Sequence, residues 1–155
     1  MRLSGKYHSD QKGGIIVEGA LLLPLLILAG LGGLDASYLL LQNHRVESQL
    51  SMASSYLSKS GAPENRESQA KLLALTGTLD GTGKTVVPGW SSDDITINYI
   101  VTSNADETYR GTDDVRTVQV STQFKFSGFG ILSSVVPDGP QINVVVEERI
   151  IGGGL

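Results

Sequence analysis

Glu18 is the residue whose setting most demands a chemical explanation. It stands near the start of an apolar run, residues 15–34, which reads IIVEGALLLPLLILAGLGGL and holds no other charge. Such a run is long enough to cross about 30 Å of hydrocarbon as a helix. A charged side chain at the centre of such a helix costs roughly 2.5–3.5 kcal/mol, and less near an end. A carboxylate there needs a partner. A cut between Gly13 and Gly14 would create one, because Glu18 becomes the fifth residue of the new chain and Gly14 gains a free amino group. That cation could pair with the chain's own Glu18 or with a neighbour's. The pairing would link cleavage to assembly, since the cation does not exist before the cut.

Other groups with chemical potential are weaker. Asp93-Asp94 and Asp113-Asp114 could ligate a metal or act as an acid–base pair, but neither sits in a calcium-loop pattern, and solvated loop charge explains both. Gly81-Thr82-Gly83-Lys84-Thr85 resembles the end of a phosphate-binding loop, yet Thr78 stands where the first glycine belongs. A helical pattern precedes it and Thr85-Val86-Val87-Pro88 reads as a short strand, the reverse of the strand–loop–helix order that cradles phosphate. His8 and His44 have no third ligand at useful spacing. Glu147-Glu148-Arg149 reads as charge protecting an exposed strand edge. Trp90 reads either as an anchor of its loop on the sheet or as an interface aromatic. No cysteine is present, which excludes disulfides, thiol catalysis and cysteine-based zinc sites. No cofactor or metal is expected, no catalytic residue is assigned, and the chain is read as not an enzyme.

The elements that must position Glu18 follow from patterning. The first thirteen residues hold Arg2, Lys6 and Lys12 against Asp10, so the acidic excess behind the net charge of −4 lies beyond them. Positive flanking charge places the N-terminus in the cytoplasm and the remainder outside. An acidic outer domain argues against nucleic acid as a partner. Pro24 implies a tolerated kink in a membrane helix, not a stop. Ala29/Gly33, Gly32/Ala36 and Gly33/Ser37 have the small-xxx-small spacing that lets helices approach closely in lipid, although glycine is also simply frequent in membrane helices.

Beyond the span, Leu39, Val46, Leu50, Ala53 and Leu57 recur at helical steps. The membrane helix therefore runs on to about Ser58, with Gly61 and Pro63 as stop and restart. Glu64–Leu75 reads as a second helix, its acids at the positive end and Gly77 at its C-cap. Alternation through Ile95–Val101, Val115–Phe126 and Ile142–Ile150 predicts antiparallel strands. Ser127–Gln141 is expected to be an extended hairpin loop, and residues 152–154 a glycine-rich end without function. The fold class is α+β: a long N-terminal transmembrane helix extending into a small extracytoplasmic domain with a second helix and an antiparallel sheet. The expected division is a leader over 1–13, a transmembrane helix over 14–41 and an outer domain over 42–155.

Glycine, a cut, then glutamate at the fifth mature position resembles the class III signal of type IV prepilins. The fuller stretch GGIIVEGALLLPLLILAGLGGLDASYLL resembles the TadE-like minor pseudopilins of the tight-adherence, or Flp-type, pilus system, over about residues 12–45. That family shows a Val-Glu pair, small and leucine residues, a proline and a glycine-rich apolar run. Gly14 departs from the bulky first residue of the major type IV pilins. The resemblance implies a pilin-like plan, a scissile bond flanked by Gly13 and Gly14, and Glu18 as the recognition and assembly glutamate. The residues expected to serve helix packing are Pro24, Ala29, Gly32 and Gly33. Expected partners are a prepilin peptidase, other pilins or pseudopilins, inner-membrane assembly proteins and membrane lipid. The expected location is the bacterial inner membrane, single pass, with a periplasmic domain that enters an adhesive pilus. Two alternatives stay open: an uncleaved single-pass accessory or binding protein of the envelope, and a secretory signal cut near Gly32.

Overall fold

The computed structural model describes residues 11–106, 108–110 and 114–151, with side chains from Gly14 onward. Residues 1–10, including Arg2, Lys6, His8 and Asp10, lie outside the described residues, as do Asp113 and residues 152–155.

Helix α1, Gln11–Ser58, is one uninterrupted element that passes through Pro24. Its C-terminal half follows the apolar stripe: Val46, Leu50, Ala53 and Leu57 are buried and Leu39 is half-buried. It stops because the chain turns to satisfy its last carbonyls. Both the Ser60 amide and the Ser60 hydroxyl donate to Leu57 O, at 3.0 and 2.9 Å, and Gly61 and Pro63 lie just beyond.

The second helix is shorter than the periodicity suggests. Pro63–Arg66 form a 3₁₀ turn and α2 runs Glu67–Thr76. Arg66 leaves helical geometry at the junction (φ −117°, ψ 9°) and its guanidinium lies 5.9 Å from the Tyr56 ring centroid. Gly77 closes α2 in the left-handed region (φ 74°), its amide 2.8 Å from Leu73 O. Ala70 and Ala74 let α2 approach α1 closely and are fully buried.

Three strands follow: β1 Ile95–Thr102, β2 Val115–Lys125 and β3 Gln141–Arg149. They form an antiparallel sheet in the order β1-β2-β3, with Ile95 opposite Thr122 and Phe124 opposite Ile142. Period two sends Val118, Val120, Thr122, Phe124 and Phe126 to the face that packs on α1, and all five are buried. The core is thus one sheet face closed by one helix face, with α2 at the side. Burying a leucine such as Leu50 contributes about 1.5–3 kcal/mol.

Two expectations for the loops are corrected. Residues 85–88 are not a strand. The Val86 amide donates to Leu75 O at 2.8 Å and Val87 is fully buried, so this coil is held by the end of α2 instead of a ladder. The connection between β2 and β3 is not a plain extended loop either, since it contains a short helix, α3, Ile131–Val135. Trp90 does anchor its loop: the indole stacks on Phe124 and donates to Thr122 Oγ1 at 2.9 Å.

Tyr99 carries a pH dependence. Its hydroxyl is buried with no hydrogen-bond partner among the described residues. Burial first, then the Glu67 carboxylate nearby, holds its phenol well above the ordinary tyrosine value. The unfolded chain loses this proton near pH ~10 while the folded chain keeps it. The folded state then binds more protons, so stability is intact below that pH and falls as pH rises through the folded value. Tyr99→Phe removes this alkaline component, and because it also removes a buried hydroxyl it is expected to leave neutral-pH stability unchanged or raised. Denaturant midpoints of the full chain in detergent across the alkaline range provide the check. Parallel curves for the two proteins would mean the phenol is not held neutral by the fold.

Candidate functional site

The site of interest is the N-terminal half of α1. Residues 14–31 are all exposed, and the most apolar window of the helix buries none of its surface in the domain. Residues 14–58 thus form a helix long and apolar enough to cross a membrane. At 1.5 Å per residue the bare stretch 14–31 is about 27 Å long, close to the hydrocarbon thickness of a bilayer.

Glu18 is exposed on this stretch. Nothing lies within 4 Å of the Cβ position at Gly14. Glu18 follows Gly14 by one helical turn, about 6 Å along the axis and on the same side. Gly13 lies within α1 by backbone. Pro24 also falls on the bare stretch; it gives no amide to the helix, which leaves the Ala20 carbonyl without its usual donor.

The three small-residue pairs are not equivalent. A Cβ at Gly32 would lie 3.7 Å from Ile131 Cγ2, and Gly32 and Ala36 are half-buried. That face packs against the protein's own α3. Gly33 has nothing within 4 Å, and Ala29 and Ser37 are exposed. The Ala29/Gly33/Ser37 face is therefore the one open to another helix.

The contact where the bare stretch meets the folded domain centres on Asp35, which no sequence motif singles out. It is fully buried on α1, where its Oδ1 accepts the Phe129 amide and its Oδ2 the Leu132 amide, both at 2.9 Å. Amides of the first turn of a helix have no partners within it, so the carboxylate supplies what the chain around α3 lacks. Gly128 makes the approach possible: an added Cβ would collide with Asp35 Oδ1 and the Phe126 ring. Tyr38 packs between Phe126 and Phe129, with ring centroids 5.9 and 5.7 Å away. One turn further, Gln42 is fully buried, and neither of its amide atoms finds a partner among the described residues. The sequence signal for Asp35 was its position as the first charge closing the apolar run.

The remaining candidates resolve into structural roles. Asp94 Oδ2 accepts both the amide and the hydroxyl of Ser91, at 2.9 and 2.7 Å, closing a capping box. Asp114 accepts the Asn104 amide at 3.1 Å. Asp80 accepts the amide and hydroxyl of Thr82, bonds that lower its pKa and tie down the glycine turn. His44 is an exposed surface residue 3.7 Å from Glu47. Glu148 is not mere edge charge, because it accepts the hydroxyls of Ser54 and Ser55 on α1 at 3.1 and 2.7 Å. Among the described residues no three His, Asp or Glu side chains converge as metal ligands.

No family model, no curated protein and no solved structure matches this chain.

Proposed function

We propose that the chain is a prepilin-like structural subunit, a TadE-like minor pseudopilin of an adhesive Flp-type pilus. In this reading a prepilin peptidase cuts between Gly13 and Gly14, and the freed amine meets a Glu18 carboxylate. The observation that carries it is the division of α1. Half the helix holds a folded domain, and half is bare, apolar and headed by one carboxylate a turn from Gly14. A helix of this kind can sit in lipid before assembly and against other pilin helices afterwards. The Ala29/Gly33/Ser37 face gives that packing a side. Arg2, Lys6 and Lys12 would hold the leader in the cytoplasm and the domain in the periplasm.

The test is the N-terminal residue of the membrane-extracted protein, mapped by intact mass and peptide analysis with and without the peptidase. The expected start is Gly14 only when the peptidase is present. A start at Met1 in both cases would replace this reading with an uncleaved envelope anchor. A start beyond Gly32 would make the span a secretory signal and put the cut beside the Asp35 contact. In the same assay, a bulky substitution at Gly13 is expected to leave full-length chain in the membrane. Unimpeded processing of that variant would move the scissile bond elsewhere.

A further inference from the structure

The β2–β3 connection reaches beyond the sheet toward the bare half of α1. The last β2–β3 pair is Lys125 with Gln141, and β3 runs beside α1 in the same direction, with Glu148 at Ser54 and Ser55. From there the connection descends along α1 to Tyr38, Asp35 and Gly32. It meets the helix where the bare stretch ends, about 27 Å from Gly14, and so at the depth where hydrocarbon gives way to headgroups.

Its composition suits that depth. Residues 126–137 read FSGFGILSSVVP and contain no charged side chain. Phe129 is 72% exposed and Val135 75% exposed, and Leu34 of α1 is 61% exposed. A water-facing loop gains nothing from presenting such residues together, whereas apolar side chains on a short helix with serines between them fit the headgroup–acyl boundary. The α1 carboxylate at this level, Asp35, is covered by the same connection and bonded to its amides.

We infer that the 126–137 connection is a second membrane contact, in which Phe129, Val135 and Val136 enter the phospholipid interface beside the span. The domain is then seated on the bilayer at two points and its tilt is restrained before it joins any partner. This rests on α1 crossing a membrane, and the experiment separates the two claims.

The chain has no cysteine, so single cysteines can carry an environment-sensitive fluorophore without background. Leu26→Cys reports the span, Val135→Cys the connection, and Val101→Cys the far end of the sheet; all three positions are exposed. The full chain is reconstituted in phosphatidylcholine vesicles. It is quenched by nitroxides on the acyl chain near the headgroup and at depth, and separately by aqueous iodide. The expected result is lipid quenching at Leu26 and, from the shallow nitroxide, at Val135, with Val101 quenched by iodide alone. Lipid quenching at Leu26 with only iodide quenching at Val135 would overturn the inference and leave the span standing. Protection of Val135 from both quenchers would also overturn it, by showing that protein such as a second copy covers the connection. Absence of lipid quenching at Leu26 would remove the span and this inference together.

Discussion

Alanine at position 128 unseats the β2–β3 connection from α1. Gly128 is not there for its backbone, which lies outside the left-handed region; a side chain is excluded by space. The new methyl would meet Asp35 Oδ1 and the edge of the Phe126 ring. Neither can retreat cheaply, since Asp35 is fully buried and bonded to two amides and Phe126 is buried against Tyr38. Overpacking alone costs about 1–3 kcal/mol, and each strained hydrogen bond to a charged acceptor puts another 1.5–3 kcal/mol or so at stake. The expected total is on the order of 3 kcal/mol, a factor of ~100 in the local opening equilibrium. Amide hydrogen exchange of the full chain in detergent reads this at Phe129 and Leu132, whose protection is expected to fall by that factor. Asp35→Ala is expected to expose the same two amides without the clash. Unchanged exchange in both variants would show that this contact does not hold the connection.

Glu18→Ala is expected to abolish incorporation into a fibre while leaving the chain inserted and folded. The side chain is exposed on the bare stretch of α1, so no packing of the domain depends on it. Its removal makes the span more apolar, and insertion should be at least as favourable as before. What it removes is the only carboxylate in the apolar run, the sole candidate there to neutralise an amine created at Gly14. Fractionation distinguishes the outcomes: normal membrane levels with no subunit in sheared fibres is the expected result. Wild-type amounts in the fibre would take assembly away from Glu18, even if processing at Gly13 still occurred.

What the sequence made legible was whatever depends on near neighbours. The stripe from Leu39 to Leu57 sets the face and end of α1 because each member lies one or two turns from the next. Alternation along β2 similarly announces its buried face, and Gly77 the cap of α2. The path of residues 85–88 was not legible, since β-branched residues read as strand, yet what decides them is a bond from Val86 to the end of α2. Asp35 was invisible for a stronger reason. Its amide partners lie 94 and 97 residues away, and a carboxylate after an apolar run looks the same locally whether it faces water or is buried against the amides of a distant turn. Glu148 was misread likewise, because its two serines sit on the helix across the core. For Glu18 the sequence and the fold agree only on setting. Both leave the carboxylate on a bare apolar helix one turn from Gly14, and neither reveals whether an amine is made there.

Because α1 is helical without a break from Gly14 to Ser58, the orientation of its bare stretch is coupled to the sheet. One residue inserted beside Leu31 would turn Glu18 and Ala29 by about 100° around the axis relative to β1–β3, and displace them by 1.5 Å or so. Four inserted residues would bring the azimuth back to within about 40° while lengthening the rod by 6 Å or so. A neighbour that grips one side of the lower helix therefore chooses, some tens of ångströms away, which sheet edge faces outward.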